Sequence, residues 1–345
     1  MNENKINDIL NIAYTLDIDE VGFTNKTDFS YLKNDLKYRI DNNVFCEFEE
    51  KNIELRLNTN SVMRNCNTII AAIFPYFQGY AKQNKQGFGK ICSSSVGEDY
   101  HLIVKKRLEE FASKISEIYD FSYEICVDSN YLLDKEICKN AKLGYIGKNS
   151  LLINKKYGSF VFLGYILTDL NINDDEVQKY SETKLPLDSC GDCKSCINNC
   201  PNNALSNEGK MNVKKCLSYL TQTKEIIPIK YRKAMGSQIY GCDVCQLICP
   251  KNIFAYEQFC ENDELYVDIE ELLTISKKEF KTKYSHLAAA WRGKNIWKRN
   301  AIIVAANTNR IDLYDLIKKD IDNPSPMIKY YASWCIDELE RKKNE

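Results

Sequence analysis

Apolar and polar residues in the first half of the chain form blocks that predict helices and strands in alternation. The segment KINDILNIAYTLDI places Ile6, Ile9 and Ala13 on one side of a helix. A second amphipathic pattern covers residues 99–119 and begins at Asp99, a suitable N-cap. Strands are predicted at VGFTN, TIIAAIFPY, YEICVDS and SFVFLGYILTDL. The alternation predicts an α/β domain, a sheet with helices packed on it, over residues 1–175.

The pattern changes after residue 170. Residues 171–189 are polar and acidic and predict a connector into a cysteine-rich block. Beyond residue 265, amphipathic helices are predicted at 295–307 and 326–343. Aligning Ala301 with Ala332 gives a weak repeat that is somewhat short for a HEAT unit. We therefore expect an α+β protein whose second and third domains cover residues 176–260 and 261–345.

Composition narrows the classes of protein that the chain can belong to. Its 345 residues include 47 basic and 48 acidic side chains, so net charge does not indicate a polyanionic partner. The N-terminal segment lacks the apolar region of a signal peptide, and no apolar run is long enough to cross a bilayer. We expect a cytoplasmic protein, in which the odd number of 15 cysteines does not form a disulfide framework. With two histidines, a His-rich metal site is also disfavoured.

Eight of the cysteines form two related groups. CGDCKSCINNCP has the spacing C-x2-C-x2-C-x3-C-P, and CDVCQLICP repeats its last three cysteines. In two-cluster ferredoxins, three such thiolates bind one [4Fe–4S] cluster and the fourth binds the other cluster. The missing cysteine of the second group is assigned to Cys216. A structural zinc ribbon, the alternative, requires two CxxC knuckles instead. The predicted ligands are Cys190, Cys193, Cys196 and Cys249 for cluster one, and Cys200, Cys216, Cys242 and Cys245 for cluster two.

The remaining cysteines lack ligand spacing, and we expect them to be buried as small apolar side chains. They are Cys46, Cys66, Cys92, Cys126, Cys138, Cys260 and Cys335.

A basic segment covers residues 277–299, with eight Lys and Arg residues against a single acid, Glu279. One interpretation is a solvated helical face. The other is a surface that follows a phosphate backbone, with Tyr284, Trp291 and Trp297 interleaved. The spacing alone favours neither.

Asp128 follows the predicted strand YEICVD. Ligands of open α/β sheets bind at the carboxyl ends of strands, where a carboxylate can donate a proton. Alternatively, Asp128 caps the helix that follows, because DSN offers three good N-cap residues. The residues alone favour the cap.

Several segments together resemble the epoxyqueuosine reductases, cobalamin-dependent enzymes that modify tRNA. The segments are VDSNYLLDKEICKNAKLGYIGKNSLLIN, GSFVFLGYILTDL, CGDCKSCINNCPNNAL and CLSYLTQTKEIIPIKYRKAMGSQIYGCDVCQLICPKN. The resemblance covers about residues 90–310. It implies an N-terminal cobalamin-binding domain related to nitroreductases and reductive dehalogenases, a two-cluster ferredoxin-like module and a C-terminal HEAT-like helical region.

The resemblance also implies an activity and its site. Electrons pass through two [4Fe–4S] clusters to cobalamin, which reduces epoxyqueuosine at the tRNA wobble position to queuosine. Asp128 matches the family's proton donor, for which we expect partial burial and a raised pKa. The implied cofactor-binding residues are Arg56, Asp128, Lys148, Ser218 and Thr221. The implied tRNA-binding residues are Arg292, Lys294, Lys298 and Arg299. The expected partners are this tRNA and an electron donor of unknown identity, and we expect a monomer.

The chain departs from the family's pattern at three places. The first is the segment KICSSSVGEDYH, in which Asp99, Tyr100 and His101 are kept but the residues before them are changed. The second is the segment RLNT, which retains only Arg56, and the third is Lys251, which stands in place of a tryptophan. His101 is a candidate cobalt ligand, although a packing or surface histidine is favoured. Two other functions stay open, a dehalogenase-like cobalamin reductase of a small molecule and a two-cluster electron carrier.

Overall fold

The computed structural model describes residues 4–81, 85–184, 189–257 and 260–344. Within them, the strands are β1 (Val21–Thr24), β2 (Thr68–Pro75), β3 (Phe88–Ile91), β4 (Tyr123–Cys126), β5 (Tyr145–Ile146), β6 (Leu152–Ile153), β7 (Val161–Thr168), β8 (Gln238–Tyr240) and β9 (Tyr266–Asp268).

The first half of the described chain contains helices α1 (Lys5–Thr15), α2 (Lys33–Asp41), α3 (Ile53–Leu57), α4 (Tyr100–Ser116), α5 (Asp134–Asn140) and α6 (Asp174–Thr183). The cysteine-rich block contains the short helices α7 (Ser195–Asn198), α8 (Leu217–Leu220), α9 (Ile229–Arg232), α10 (Val244–Leu247) and α11 (Ile253–Glu257). The C-terminal part contains α12 (Ile269–Thr274), α13 (Lys277–Tyr284), α14 (Lys294–Asn307), α15 (Tyr314–Lys318) and α16 (Pro326–Asn344).

The strands predicted in the first half form one sheet in the order β1-β2-β7-β4. Every neighbouring pair of strands is antiparallel. The first interpretation of Asp128 relied on the rule that ligands of open parallel sheets bind at the carboxyl ends of the strands, and this rule does not apply directly here. Because β2 and β4 both run opposite to β7, their carboxyl ends still share an edge of the sheet. Pro75 at the end of β2 is paired with Val161, and Cys126 at the end of β4 with Tyr165.

Both faces of this sheet are covered, as the continuous apolar sequence of β2 requires. Ile69, Ala71 and Ile73 point to one face, where α5 packs. Their neighbours Ile70, Ala72 and Phe74 point to the opposite face, where α1 and α4 pack. The predicted helix over 99–119 is confirmed as α4, and the Asp99 side chain accepts a hydrogen bond from the His101 N–H as its N-cap.

A second, three-stranded sheet joins distant parts of the chain. β3 pairs in parallel with β8 and antiparallel with β9. One apolar core runs from Ile91 through Leu217 and Trp297 to Leu339. The predicted boundaries at 175/176 and 260/261 therefore do not separate independent cores. The segment predicted to be a polar connector also differs from the prediction. Helix α6 spans the boundary at 175/176, and the Tyr180 hydroxyl on it donates a hydrogen bond to the Val21 carbonyl. Residues 185–188 of the predicted connector lie outside the described residues.

The C-terminal part is helical, as predicted. α14 packs against α16 and is buried on nearly all sides, from Ile296 to Ala306. The short 3₁₀ segment Ala288–Arg292 leads into α14 and carries Trp291. Within the described residues, none of the helices has the length and apolar character that crossing a membrane requires.

Gly22 provides a test of how tightly the first sheet packs on α5. A β-carbon at Gly22 would lie 2.1 Å from the Ala141 carbonyl oxygen, which is backbone and cannot rotate away. We expect Gly22→Ala to lower the free energy of unfolding by about 3 kcal/mol, at the upper end of overpacking costs. Urea denaturation measures the loss.

Gly164→Ala is the matched control. Its close contacts would be with the side chains of Leu108 and Val104, at 2.7 and 2.9 Å, which can move; the backbone carbonyl of Cys126 is at an ordinary contact distance of 3.7 Å. A smaller loss is therefore expected. Equal losses for the two variants would contradict this account of the packing.

Candidate active site

The four thiols predicted to bind cluster one line a single cavity. They are Cys190, Cys193, Cys196 and Cys249, on the loops around α7 and α10. The Lys148 backbone N–H donates to the Cys190 sulfur at 3.4 Å. The Lys148 ammonium donates to the carbonyls of Gly191 and Cys193 at 2.6 and 3.1 Å. Lys148 thus supports the loop that carries the first ligands.

The four thiols predicted to bind cluster two are also neighbours. Burial raises the pKa of Cys242 to about 12, and the charge of Cys216 contributes. The charge of Cys200 likewise raises the pKa of Cys216. The charges of Cys242 and Cys216 both raise the pKa of Cys245. The Ala204 N–H donates to the Cys200 sulfur at 3.2 Å.

Both thiol sets fit iron–sulfur clusters, since thiolates are the ligands of such clusters and hydrogen bonds to sulfur support them. Cys196 of the first set is close enough to raise the pKa of Cys245 in the second, so the two sets lie side by side. Among the described residues, no group of three or more His, Cys, Asp or Glu side chains is placed to hold a single metal ion.

Asp128 lies two residues beyond the end of β4 with a φ of +50°, a left-handed conformation that Asp tolerates better than most residues. The next helix, α5, begins at Asp134, and its N-cap position is Leu133. The interpretation of Asp128 as a helix cap is therefore wrong. The side chain of Asp128 is 62% exposed, so its carboxylate is accessible to a ligand.

Three residues at the start of α4 surround this carboxylate. The Tyr100 hydroxyl donates to Asp128 Oδ2 at 2.6 Å, and His101 Nε2 lies 3.5 Å from the same oxygen. His101 Nδ1 lies 2.7 Å from Asp99 Oδ1. The hydrogen bond from His101 lowers the pKa of Asp128, burial opposes this, and Tyr100 lowers it further. The expected raised pKa of Asp128 is therefore wrong, because hydrogen-bond donors outweigh desolvation.

A row of stacked rings fixes Tyr100 and His101 at the edge of the sheet. Tyr76 at the end of β2 stacks on Phe162 of β7, with ring centroids 4.2 Å apart. Phe162 stacks on Tyr100 at 4.0 Å, and Tyr100 on His101 at 4.0 Å. The row holds both donors toward Asp128.

Tyr240 connects this acid to the cysteine-rich block and to the C-terminal part. Its hydroxyl donates to Gln222 Oε1 at 3.0 Å and accepts from Trp291 Nε1 at 3.0 Å. Burial raises the pKa of Tyr240, and the nearby charges of Cys92 and Asp128 add to the effect. Asp128 and Cys92 are therefore both near Tyr240.

The segment that departs from the family's pattern packs on the cluster-two loop. The Ser93 N–H donates to Asp243 Oδ2 at 2.6 Å, and a β-carbon at Gly241 would lie 2.1 Å from the Cys92 sulfur. Burial raises the pKa of Cys92 to about 12. The changed residues before Asp99 thus touch the loop that carries Cys242.

The structure supports only part of the predicted set of cofactor-binding residues. Arg56 is 8% exposed and pairs with Glu49 at 2.7 Å. Thr221 is fully buried, donates to the Ser218 carbonyl and accepts from the Gly241 N–H. Arg56 and Thr221 are therefore committed to interior contacts. Ser218 is half-buried, and Asp128 is exposed.

The structure contradicts the expectation that the four basic residues of 292–299 form an exposed surface. Arg299 is fully buried, and Lys298 is 8% exposed and pairs with Asp320 at 2.8 Å. Lys294 donates to the Ile275 carbonyl, and the Arg292 guanidinium, 12% exposed, pairs with Glu47.

The remaining cysteines follow the prediction with two exceptions. Cys66, Cys92, Cys126, Cys138 and Cys335 are buried. Cys46 is half-buried and Cys260 is exposed.

Sequence reasoning missed the partners of Asp128. Asp99, Tyr100 and His101 were noted as a motif without a role beside the acid, and Tyr240 and Trp291 were not connected with it. Short-range patterns contain no signal for Tyr240, which reaches this site only through β8.

Two thiol sets that fit iron–sulfur clusters, next to an accessible acid, define the class of this protein as an iron–sulfur oxidoreductase. A family model for a 4Fe-4S double cluster binding domain matches residues 189–252. A second model, described as epoxyqueuosine reductase QueG, DUF1730, matches residues 56–129. An epoxyqueuosine reductase of Staphylococcus aureus is 37% identical over 96% of this chain and 88% of its own length. The chain belongs to the epoxyqueuosine reductase family.

Solved structures agree with this assignment. Epoxyqueuosine reductase from Streptococcus thermophilus superposes with a TM-score of 0.87 at 33% identity, covering 99% of this chain and 91% of that chain. A crystal structure of epoxyqueuosine reductase with a tRNA-Tyr epoxyqueuosine-modified tRNA stem loop also gives 0.87, at 29% identity, covering 97% and 90%.

Replacing a cluster ligand tests the two thiol sets. We expect Cys249→Ala to lower the iron content from about eight atoms per chain toward four, because one of two [4Fe–4S] clusters loses a ligand. Cys260→Ala, at an exposed cysteine outside both sets, should retain all of the iron. Iron analysis and electron paramagnetic resonance of the reduced protein measure this, and a full iron content in Cys249→Ala would remove Cys249 from the ligands.

Lys298→Met tests the corrected placement of the basic residues. The substitution leaves Asp320 buried without its partner, so we expect a loss of about 3–5 kcal/mol in the free energy of unfolding. The double variant Lys298→Met/Asp320→Asn should recover most of it. Unchanged stability together with weakened tRNA binding would restore Lys298 to the tRNA surface.

Proposed function

We propose that this chain reduces epoxyqueuosine to queuosine in tRNA, with Asp128 as the proton donor to the epoxide oxygen. Membership of the epoxyqueuosine reductase family supports the reaction. The observation that supports the role of Asp128 is its position as an exposed carboxylate with two hydrogen-bond partners at the edge where the sheet meets the cluster-two loop. A tRNA substrate also agrees with the expected cytoplasmic location.

The arrangement of the thiols suggests a direction for the electrons. Cys193 of cluster one is exposed, so an electron donor can approach there. Cys245 of cluster two lies beside Cys196 of cluster one, and Cys242 lies beside Cys92. Tyr240 is near both Cys92 and Asp128. We therefore propose that electrons enter at cluster one and leave from cluster two toward the acid.

Cobalamin is the proposed acceptor of these electrons. We propose that Asp128 and Ser218 contact the bound corrinoid, because Asp128 is exposed and Ser218 is only half-buried. Arg56 and Thr221 are buried and do not fit as direct contacts, and Lys148 supports the cluster-one loop. When bound, cobalamin would supply the strongly reducing cobalt centre that the reduction of an epoxide requires.

The residues of this chain orient and protonate the substrate. Tyr100 holds Asp128 through Oδ2, which leaves Oδ1 available to the epoxide oxygen. Reduction of an epoxide to an alkene takes up two electrons and two protons and releases the oxygen as water. A positioned acid typically accelerates such a step by about 10²–10⁴-fold.

We propose that tRNA contacts other residues than the four basic residues that the sequence analysis implied. Trp291 is 55% exposed and adjoins Tyr240, so it can stack on a nucleotide base near the acid. Lys277, Lys278 and Lys281 on α13 are exposed and can contact phosphates.

Turnover on tRNA that contains epoxyqueuosine tests the function directly. The cluster-loaded chain with cobalamin and a strong reductant should convert the nucleoside with loss of one oxygen, read by mass spectrometry of digested tRNA. Asp128→Asn should keep both clusters and lose at least about 100-fold in rate. Glu124→Gln, at an exposed acid on β4, the strand that leads to Asp128, should retain activity.

The other outcomes separate the alternatives. Cobalamin binding without conversion would indicate a different substrate, and absence of both would favour an electron carrier. Full activity of Asp128→Asn would remove Asp128 from the proposed mechanism.

A further inference from the structure

The carboxylate of Asp128 belongs to a chain of acid–base groups that ends at Asp99. Asp99 Oδ1 lies 2.7 Å from His101 Nδ1, and His101 Nε2 lies 3.5 Å from Asp128 Oδ2. Asp99 also accepts the His101 backbone N–H at 3.0 Å, so the N-cap of α4 fixes both residues. The imidazole therefore lies between two carboxylates, with one of its nitrogens toward each.

An imidazole in this position binds its second proton more tightly than usual. Burial opposes the positive charge of His101, but the hydrogen bonds with Asp128 and Asp99 outweigh it and raise the pKa of His101. The same contact lowers the pKa of Asp128. Because His101 binds a proton more tightly than an ordinary histidine and Asp128 less tightly than an ordinary aspartate, a proton shared by the pair is held by His101 and leaves Asp128 ionised. An ionised Asp128 cannot by itself protonate an epoxide oxygen.

We propose that His101 stores the proton that Asp128 delivers to the substrate, and that Asp99 holds the imidazole in the orientation for this transfer. The inference rests on the proposed function and adds a positioning residue to it. His101 acts through Asp128, because only the carboxylate is placed to touch the substrate.

The transfer balances as follows. As the C–O bond of the epoxide breaks, the proton on His101 Nε2 passes to the Asp128 carboxylate, and Asp128 passes it on to the epoxide oxygen. His101 becomes neutral, and Asp128 returns to its ionised state. The side chain of His101 is 33% exposed, so solvent can restore its proton. After solvent has restored the proton on His101, the same route supplies the second proton, and the oxygen leaves as water. The electrons come from the iron–sulfur clusters and the cobalt cofactor of the proposed function.

Other charged and titratable groups around the pair come from three elements. Tyr100, on α4, donates to Asp128 and stacks on His101. Lys135 and Asp134, on α5, have opposite charges within electrostatic reach of Asp128. Tyr240, on β8, faces Asp128 and Tyr100. His101 has the ordinary pKa closest to neutral pH. Burial raises the pKa of Asp134 to about 6, so Asp134 is the second group whose charge can change near that range.

The first experiment follows the imidazole itself. The chain has two histidines, and the exposed His286 can be assigned by the variant His286→Gln, which should keep full activity. A nuclear magnetic resonance titration of the protein with oxidised clusters should give His101 a pKa above the ordinary histidine value. Asp99→Asn and Asp128→Asn should each lower it by roughly one unit. A His101 ring that titrates at or below the ordinary value would overturn the proposal.

The second experiment measures kcat against pH with epoxyqueuosine-containing tRNA. In the wild-type chain the rate should fall as pH rises through the pKa of His101. His101→Gln should lower kcat about 100-fold near pH 7.5, with KM for tRNA little changed. The descending limb of its pH profile, the pH range over which kcat falls, should move to lower pH. Asp99→Asn should move the limb the same way by a smaller amount.

Tyr100→Phe separates this proposal from donation by Asp128 alone. The phenol lowers the pKa of Asp128, so its removal would move the limb upward if Asp128 itself set the limb. If His101 stores the proton, the limb should stay in place while the rate falls. A limb that moves upward in Tyr100→Phe, or an unchanged profile in His101→Gln, would refute the role of His101. If the titration behaves as expected but the wild-type chain converts no epoxyqueuosine, the proposed function fails and the assigned charge state stands.

Discussion

A single buried guanidinium fixes the position of the cluster-two ligands relative to the rest of the chain. Arg299 of α14 donates to the carbonyls of Leu220, Thr221 and Thr223. The adjacent Asn300 donates to the carbonyls of Thr221 and Ile239, each at 2.7 Å. Burial lowers the pKa of Arg299 to about 10, so the side chain is still charged at neutral pH. A buried charge of this kind requires such acceptors, and it therefore fixes the backbone that supplies them.

This anchoring explains why the C-terminal helices belong to the same core as the cysteine-rich block. The segment held by Arg299 follows Cys216, and the strand held by Asn300 leads through Tyr240 to Cys242. The ligands of cluster two are thus supported by a helix that begins some 50 residues later in the chain. The same strand brings Tyr240 toward Asp128, so the anchored backbone also sets the distance between the clusters and the acid.

The sequence was sufficient for the features that depend on local spacing. The cysteine pattern predicted which four thiols line the cluster-one cavity, and apolar periodicity predicted β1, β2, β4, β7, α4, α14 and α16. Features that depend on distant partners were not predictable in this way. A lysine at 298 looks like a surface residue until Asp320 is placed beside it, and the charge of Asp128 depends on His101, 27 residues earlier in the chain.

The pKa of Asp128 was expected to be raised but is lowered, and the cause is the set of residues that the fold places around its carboxylate. Burial by itself would raise the pKa of this residue, but the antiparallel sheet brings the start of α4 to the same edge as the end of β4. There, a histidine between two carboxylates competes for the proton and takes it. A carboxylate that is exposed to a substrate cannot rely on desolvation to remain protonated, whereas an imidazolium beside it can keep the proton within one hydrogen bond. In the proposed mechanism the fold therefore separates two roles that a single buried acid would combine: the exposed carboxylate would contact the substrate, and the half-buried imidazole would hold the charge.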